Sequence, residues 1–178
     1  MRIIKKIFRK IQKKFICLYD GVNNKKFTKK YVKFLKKCGV HISGAPEYIC
    51  SSAYLDGTGL HRIHIGDKSI ISKEALLLTH DFAPRTGLLS LGYDFKDCEN
   101  YHVEQDIIIG NNVFIGARAI ILPVTVIEDN VVIGAGAVVR GKVIGDSVVV
   151  GNPAKRICSL SEWAHKHESD DFVKEKIF

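Results

Sequence analysis

The chain has few cysteines, and no pattern links them. The five, at 17, 38, 50, 98 and 158, are odd in number and form no C-x-x-C pair. This argues against a disulfide framework and a zinc ribbon, and fits a reducing, cytoplasmic compartment. No apolar run approaches the length that spans a bilayer. The N-terminus also lacks the uninterrupted apolar stretch of a signal peptide, because Lys or Arg recurs every few residues. Acid is scarce at the start of the chain. In residues 1–37 Asp20 is the one acid against fourteen Lys or Arg, a net of +13, whereas residues 38–178 carry a net of −5. The overall +8 is therefore the sum of a basic arm and a mildly acidic body. That split, with no readout motif in the arm, argues against a nucleic-acid partner.

What is present is a globular composition, 178 residues long, 46% apolar and 26% charged, enough for one domain with an appendage. Residues 2–19 read as an amphipathic helix, with Ile4, Ile7 or Phe8, Ile11, Phe15 and Leu18 at helical spacing among basic residues. A turn at 20–24 leads to a second short helix carrying Phe27, Tyr31 and Phe34 or Leu35. From residue 40 the pattern changes. An aliphatic residue recurs every six positions at Ile109, Ile115, Ile121, Ile127, Ile133 and Val139, and upstream at Ile65, Ile71 and Leu77. After a one-residue deletion the register resumes at Ile144 and Val150. Two positions before the aliphatic stands a small or β-branched residue such as Ala75, Val113 or Ala119, and glycine often follows, as at Gly66, Gly110, Gly116 and Gly134.

A helix of period 3.6 cannot keep a six-residue repeat on one face, and a flat strand needs no regular glycine. A short strand followed by a tight corner accounts for both, with the aliphatic inward and the glycine permitting the corner backbone. Three such sides close one coil, and stacked coils form a triangular prism with a continuous core. The period breaks between about His80 and Asp106, which predicts a loop extruded from one corner. Ser159-Leu-Ser-Glu162 fits a capping box and starts a C-terminal helix through Trp163, His167 and Phe172 or Val173, placed to cover the last coil.

These residues, above all the stretch from Ile107 to Ile157 with its Gly-Asn-Pro-Ala-Lys ending at 151–155, resemble the hexapeptide-repeat acyltransferases, in their sugar O-acetyltransferase branch. The resemblance implies a mainly β fold: a left-handed parallel β-helix over 39–158 with an extruded loop at about 80–106, a basic helical arm over 1–38 and a C-terminal helix over 159–178. It implies acyl transfer from acetyl-CoA, a co-substrate, to a sugar hydroxyl of a surface polysaccharide or its precursor, with no metal. A hydroxyl needs a base as it attacks, and the family's catalytic histidine corresponds to His80. Asp56, Glu74, Asp81 or a backbone carbonyl could orient that imidazole, and His102 could line the acceptor site. By the same resemblance the amides of Ala117 and Ala135 meet the pantetheine arm. Arg140, Lys155 and Arg156, with Lys142, meet the nucleotide phosphates. At Pro123-Val124 and Ile127-Glu128, relatives commonly carry glycine second, so a shift of local backbone is expected. The family assembles as a trimer with each site between two prisms.

Alternatives on the same fold are an amino-sugar N-acyltransferase, a serine acetyltransferase, a non-catalytic trimeric scaffold and a zinc enzyme of the γ-carbonic-anhydrase kind. The last would need converging histidines, and His80 has no His-x-x-x-x-His companion. The arm has three competing readings: a helical pair closing the open edge of the first coil, a peripheral contact with an anionic membrane, or, the weakest for want of a readout motif, a nucleic-acid contact.

Overall fold

The six-residue period folds into three short faces per turn. A computed structural model describes residues 2–98 and 102–168, without the side chains of 2–9 and 97–98. Two helices, α1 (Arg2–Cys17) and α2 (Asn24–Cys38), precede the body. The first coil consists of β1 (His41–Ile42), β2 (Tyr48–Ile49) and β3 (Tyr54–Leu55), the second of β4 (Ile63–Ile65), β5 (Ile70–Ile71) and β6 (Leu76–Leu77). An excursion follows: β7 (His80–Asp81), α3 (Ala83–Ser90), α4 (Phe95–Cys98) and β8 (Val103–Glu104). The repeat then resumes with β9 (Ile107–Ile109), β10 (Val113–Ile115) and β11 (Ile120–Ile121), and with β12 (Thr125–Ile127), β13 (Val131–Ile133) and β14 (Val138–Val139). It ends with β15 (Lys142–Val143), β16 (Ser147–Val150) and β17 (Lys155–Cys158), before α5 (Leu160–Glu168).

Strands stack coil on coil into three faces, ordered β1-β4-β9-β12-β15, β2-β5-β10-β13-β16-β17 and β3-β6-β11-β14. All pairs within them are parallel except β16–β17. Ile109 lies on Ile127, Ile115 on Ile133 and Ile121 on Val139, so one full coil is three hexads. The six aliphatics of the unbroken run, with Ile65, Ile71 and Leu77, are buried, and each inward side chain contributes about 1.5–3 kcal/mol of burial. Ser69, Ala75, Ala119, Thr125 and Ala137 are fully buried beside them, small enough to fit between the larger side chains of the core.

Two expectations are corrected. The register resumes at Val143 and Val149, which lie on Ile127 and Ile133, and not at Ile144 and Val150. The last coil is thus two residues shorter. Gly141, with φ +83°, lets the corner after Val139 close early, and Ile144 is left 55% exposed. The glycines that follow the aliphatics are also not the left-handed residues of the corners. Those include Lys68, Glu74, Asn112, Arg118, Val124, Asn130 and Gly136, all with positive φ. Glycine is needed instead because the next coil lies against it: a Cβ at Gly116 would stand 2.5 Å from the Ala135 nitrogen, and one at Gly134 would stand 2.8 Å from Val150 Cγ1. At Val124 the corner keeps the positive φ of the other corners, +68°, on a β-branched residue, a costly place for its branched Cβ.

At the N-terminal end α2 seats on β1 and β2. Asn23 caps it by accepting from the Lys26 N–H at 2.9 Å, and Gly39 ends it in the left-handed region. Its Phe27, Tyr31, Phe34 and Leu35 are buried over the first coil. At the other end β17, rather than α5, pairs with the edge of β16. The capping box forms as expected: Glu162 N–H donates to Ser159 Oγ at 3.1 Å and Ser159 N–H donates to Glu162 Oε2 at 3.0 Å. Phe172 and Val173 lie outside the described residues.

Candidate active site

His80 is set by the point at which the chain leaves the prism. β6 ends at Leu77 on the third face, and two residues later β7 turns outward and pairs antiparallel with β8, His80 opposite Glu104. The imidazole is one-third exposed, and its Nδ1 meets Asp56 Oδ2. Asp56 follows β3, which stacks on β6 with Tyr54 on Leu76 and Leu55 on Leu77. This register carries the carboxylate directly under the departing chain.

Asp56 is 1% exposed and every near partner donates to it. Oδ2 accepts from Thr79 N–H at 3.1 Å and Thr79 Oγ1 at 2.9 Å, besides His80; Oδ1 accepts from Thr58 N–H at 3.2 Å and Thr58 Oγ1 at 2.9 Å. Burial pushes its pKa up, but the hydrogen bonds from Thr79, Thr58 and His80 together outweigh this and hold it at about 2. An ionised Asp56 can only accept, so the proton of a neutral imidazole sits on Nδ1 and the Nε2 lone pair is free. Phe82 stands edge-on to His80 at 5.6 Å between centroids and stacks on His102 at 4.9 Å. Of the orienting candidates, Asp56 is the one in place. Glu74 pairs with Arg118 at 2.7 Å, and Asp81 lies 3.6 Å from Arg140.

Ala117 and Ala135 come together on a different corner, before the third face. Gly136 N–H donates to Ala117 O at 2.9 Å, and both alanines line a groove of about 460 Å³ with Lys73, Glu74, Arg118 and Gly136. Among the described residues no partner within the chain takes the Ala117 or Ala135 N–H. Arg140 and Arg156 line a separate cavity of about 500 Å³ at the last coil, together with Lys142, Ser147 and Asn152. Arg156 Nε donates to Ser147 Oγ at 3.1 Å. Lys155 is exposed on β17 and is not part of that lining.

The family described as bacterial transferase hexapeptide (six repeats) matches residues 106–141. Protein CapG of Staphylococcus aureus is 31% identical over 141 residues, 79% of this chain and 78% of that protein. The chain belongs to the hexapeptide-repeat transferase family. A shorter match, 43% identical over 51 residues, links this hexapeptide-repeat transferase to WbbJ of Escherichia coli (strain K12), named as a candidate lipopolysaccharide biosynthesis O-acetyl transferase. That match spans 29% of this chain and 26% of WbbJ. A solved galactoside acetyltransferase in complex with coenzyme A superposes with a TM-score of 0.55 over 88% of this chain and 83% of that one, at 20% identity. The shared fold is the expected left-handed β-helix. Within this transferase, the sequence pattern did not single out Arg118, whose exposed guanidinium stands at the mouth of the Ala117–Ala135 groove. Its signal was its place directly after Gly116-Ala117.

Proposed function

We propose that the protein is a coenzyme A-dependent O-acyltransferase that moves an acetyl group to a sugar hydroxyl of a surface polysaccharide or its precursor. The pair formed by His80 and the buried Asp56 carries this reading. The exposed imidazole edge has a free lone pair, its other nitrogen is fixed by an ionised carboxylate, and it opens at a corner beside the excursion.

In the proposed reaction the acceptor hydroxyl gives its proton to His80 Nε2 as its oxygen bonds to the thioester carbonyl carbon. The carbon–sulfur bond then breaks and the sulfur takes the proton back from Nε2, leaving a free thiol and an ester. Asp56 stabilises the imidazolium that exists between the two transfers and holds the ring in position, as an ionised partner does in other His–Asp pairs. The unpartnered amides of Ala117 and Ala135 fit an extended, amide-bearing pantetheine arm, and the small side chains let it approach. Arg140, Lys155 and Arg156 are the proposed phosphate contacts.

His80 and the alanine groove lie at opposite edges of the third face, so we place each site between two prisms of a homotrimer, His80 from one and the groove from the next. The further partners in this reading are the carbohydrate acceptor and, through residues 1–37, the inner face of a membrane, with the enzyme otherwise cytoplasmic. The name of WbbJ supports an O-acetyl acceptor, and the bound coenzyme in the galactoside acetyltransferase supports the donor.

The test is thiol release from acetyl-CoA in the presence of a panel of sugars, with acetylated product identified by mass. Release that depends on the sugar and falls by about 10² to 10⁴ in His80→Ala is expected. A variant that turns over normally would refute the assignment of His80.

A further inference from the structure

The two N-terminal helices do different things. α2 has spent its apolar face on the body, with Phe27, Tyr31, Phe34 and Leu35 all buried. The turn between the helices is fastened as well: Asp20 accepts from Tyr48 Oη at 2.7 Å and from Ser51 Oγ. Lys26 and Lys30 lie 4.8 and 4.1 Å over the Tyr19 ring, and Lys13 lies 5.7 Å from the Tyr31 ring, which fixes the inner side of α1. Its Ile16 is buried on that side.

Among the described residues, nothing covers the outer side of α1. Ile11 and Phe15 are 48% and 65% exposed, and Leu18 and Val22, beyond the end of the helix, are 70% and 82% exposed. Ile11 and Phe15 stand four residues apart on one helix face, Leu18 and Val22 carry the apolar surface on into the turn, and the sequence continues the helical spacing back through Ile4, Ile7 and Phe8. Lys10 and Lys14 flank the stripe and are exposed. Among the described residues no helix is long and apolar enough to cross a membrane.

Charge selects the occupant. The arm's net of +13 repels a second copy of itself, and a nucleic acid would leave the apolar stripe in water. An anionic bilayer matches both features: headgroups for the lysines and the acyl boundary for the stripe. We propose that α1 alone lies in the headgroup layer of an anionic membrane, with Ile11, Phe15 and the adjoining Leu18 inserted, while α2 stays on the prism as a rigid mount. This rests on the membrane contact proposed above and assigns it to one helix. It sets the first coil toward the lipid and puts His80, which leaves the second coil, close to acceptors held at that surface.

The full chain is sedimented with vesicles of phosphatidylcholine alone or mixed with phosphatidylglycerol. Binding to the mixed vesicles only is expected, with at least a ~tenfold loss in the Phe15→Asp, Leu18→Asp double variant. Phe15→Trp in a Trp163→Phe background should shift its emission to the blue on adding mixed vesicles. Equal binding by the double variant and wild type overturns the assignment to α1 while leaving the membrane contact standing. Failure of the wild type to bind overturns both. A drop in oligomeric mass in the double variant overturns the proposal in favour of a subunit interface. Thiol release with soluble sugar reads the catalytic proposal separately and should be unchanged in these variants.

Discussion

Asp56 decides what His80 can do, and two measurements separate its roles. With four further donors from Thr58 and Thr79 on its oxygens, it stays ionised and keeps Nδ1 protonated. Asp56→Asn presents the wrong balance of donors and acceptors and should lower kcat by roughly 10²- to 10⁴-fold with little change in KM for acetyl-CoA. Its folded pKa of about 2 lies below the reference of 3.8. The associated stability, on the order of 2 kcal/mol, is therefore fully present above about pH 4 and fades as pH falls toward 2. Urea unfolding across that range should show the gap between wild type and Asp56→Asn closing as the solution is acidified; a constant gap would show that the carboxylate is not held in this way. His80 was legible in the sequence because it stands where the hexad stops. Asp56 was not separable there from Glu74 and Asp81. The choice turns on how Tyr54 and Leu76 stack, across a first coil that is longer than the regular three hexads and has no clean period to count.

At the scale of single strands, spacing identified the inward side chains wherever the period ran unbroken, and it failed where a corner changed length. The positions from Ile109 to Val139 follow the sequence reading because each corner spends the same number of residues. The corner at Arg140-Gly141-Lys142 spends fewer, and Val143 then takes the inward place on Ile127. Val143→Ala should cost about 2 kcal/mol, while Ile144→Ala, at a half-exposed site, should stay within about 0.5 kcal/mol. Thermal or urea unfolding of the two variants checks the register, and the opposite order of costs would restore the one-residue deletion. The glycines were legible as corner markers but not in their role. Their reason lies in the neighbouring coil, such as the Ala135 nitrogen over Gly116, and a contact between coils is visible only after stacking.

The molecule as a whole carries surfaces that one prism does not use. Outward positions along the strands carry exposed apolar side chains on every face, with Tyr54, Ile108 and Phe114, one on each, at 51%, 42% and 39% exposed. Faces of this kind are what subunits cover in a closed ring. The arm's charge, by contrast, was legible as an imbalance but not as a division of labour, because the same lysine-rich pattern covers a helix that caps the first coil and one that does not. Assembly can be tested through the sites themselves. In a trimer that takes His80 from one subunit and the Ala117–Ala135 groove from the next, two inactive chains can complement each other. His80→Ala keeps its groove; Ala135→Tyr, at an exposed corner, fills the groove but keeps its histidine. In a ring of three, any mixed trimer contains one interface where an intact histidine faces an intact groove. Random mixing of equal amounts should thus restore on the order of a quarter of wild-type thiol release, whereas each variant alone restores none. A site built within one subunit would give no recovery at any mixing ratio, so co-expression of the two chains, with activity normalised to trimer concentration, decides between a shared and a private site.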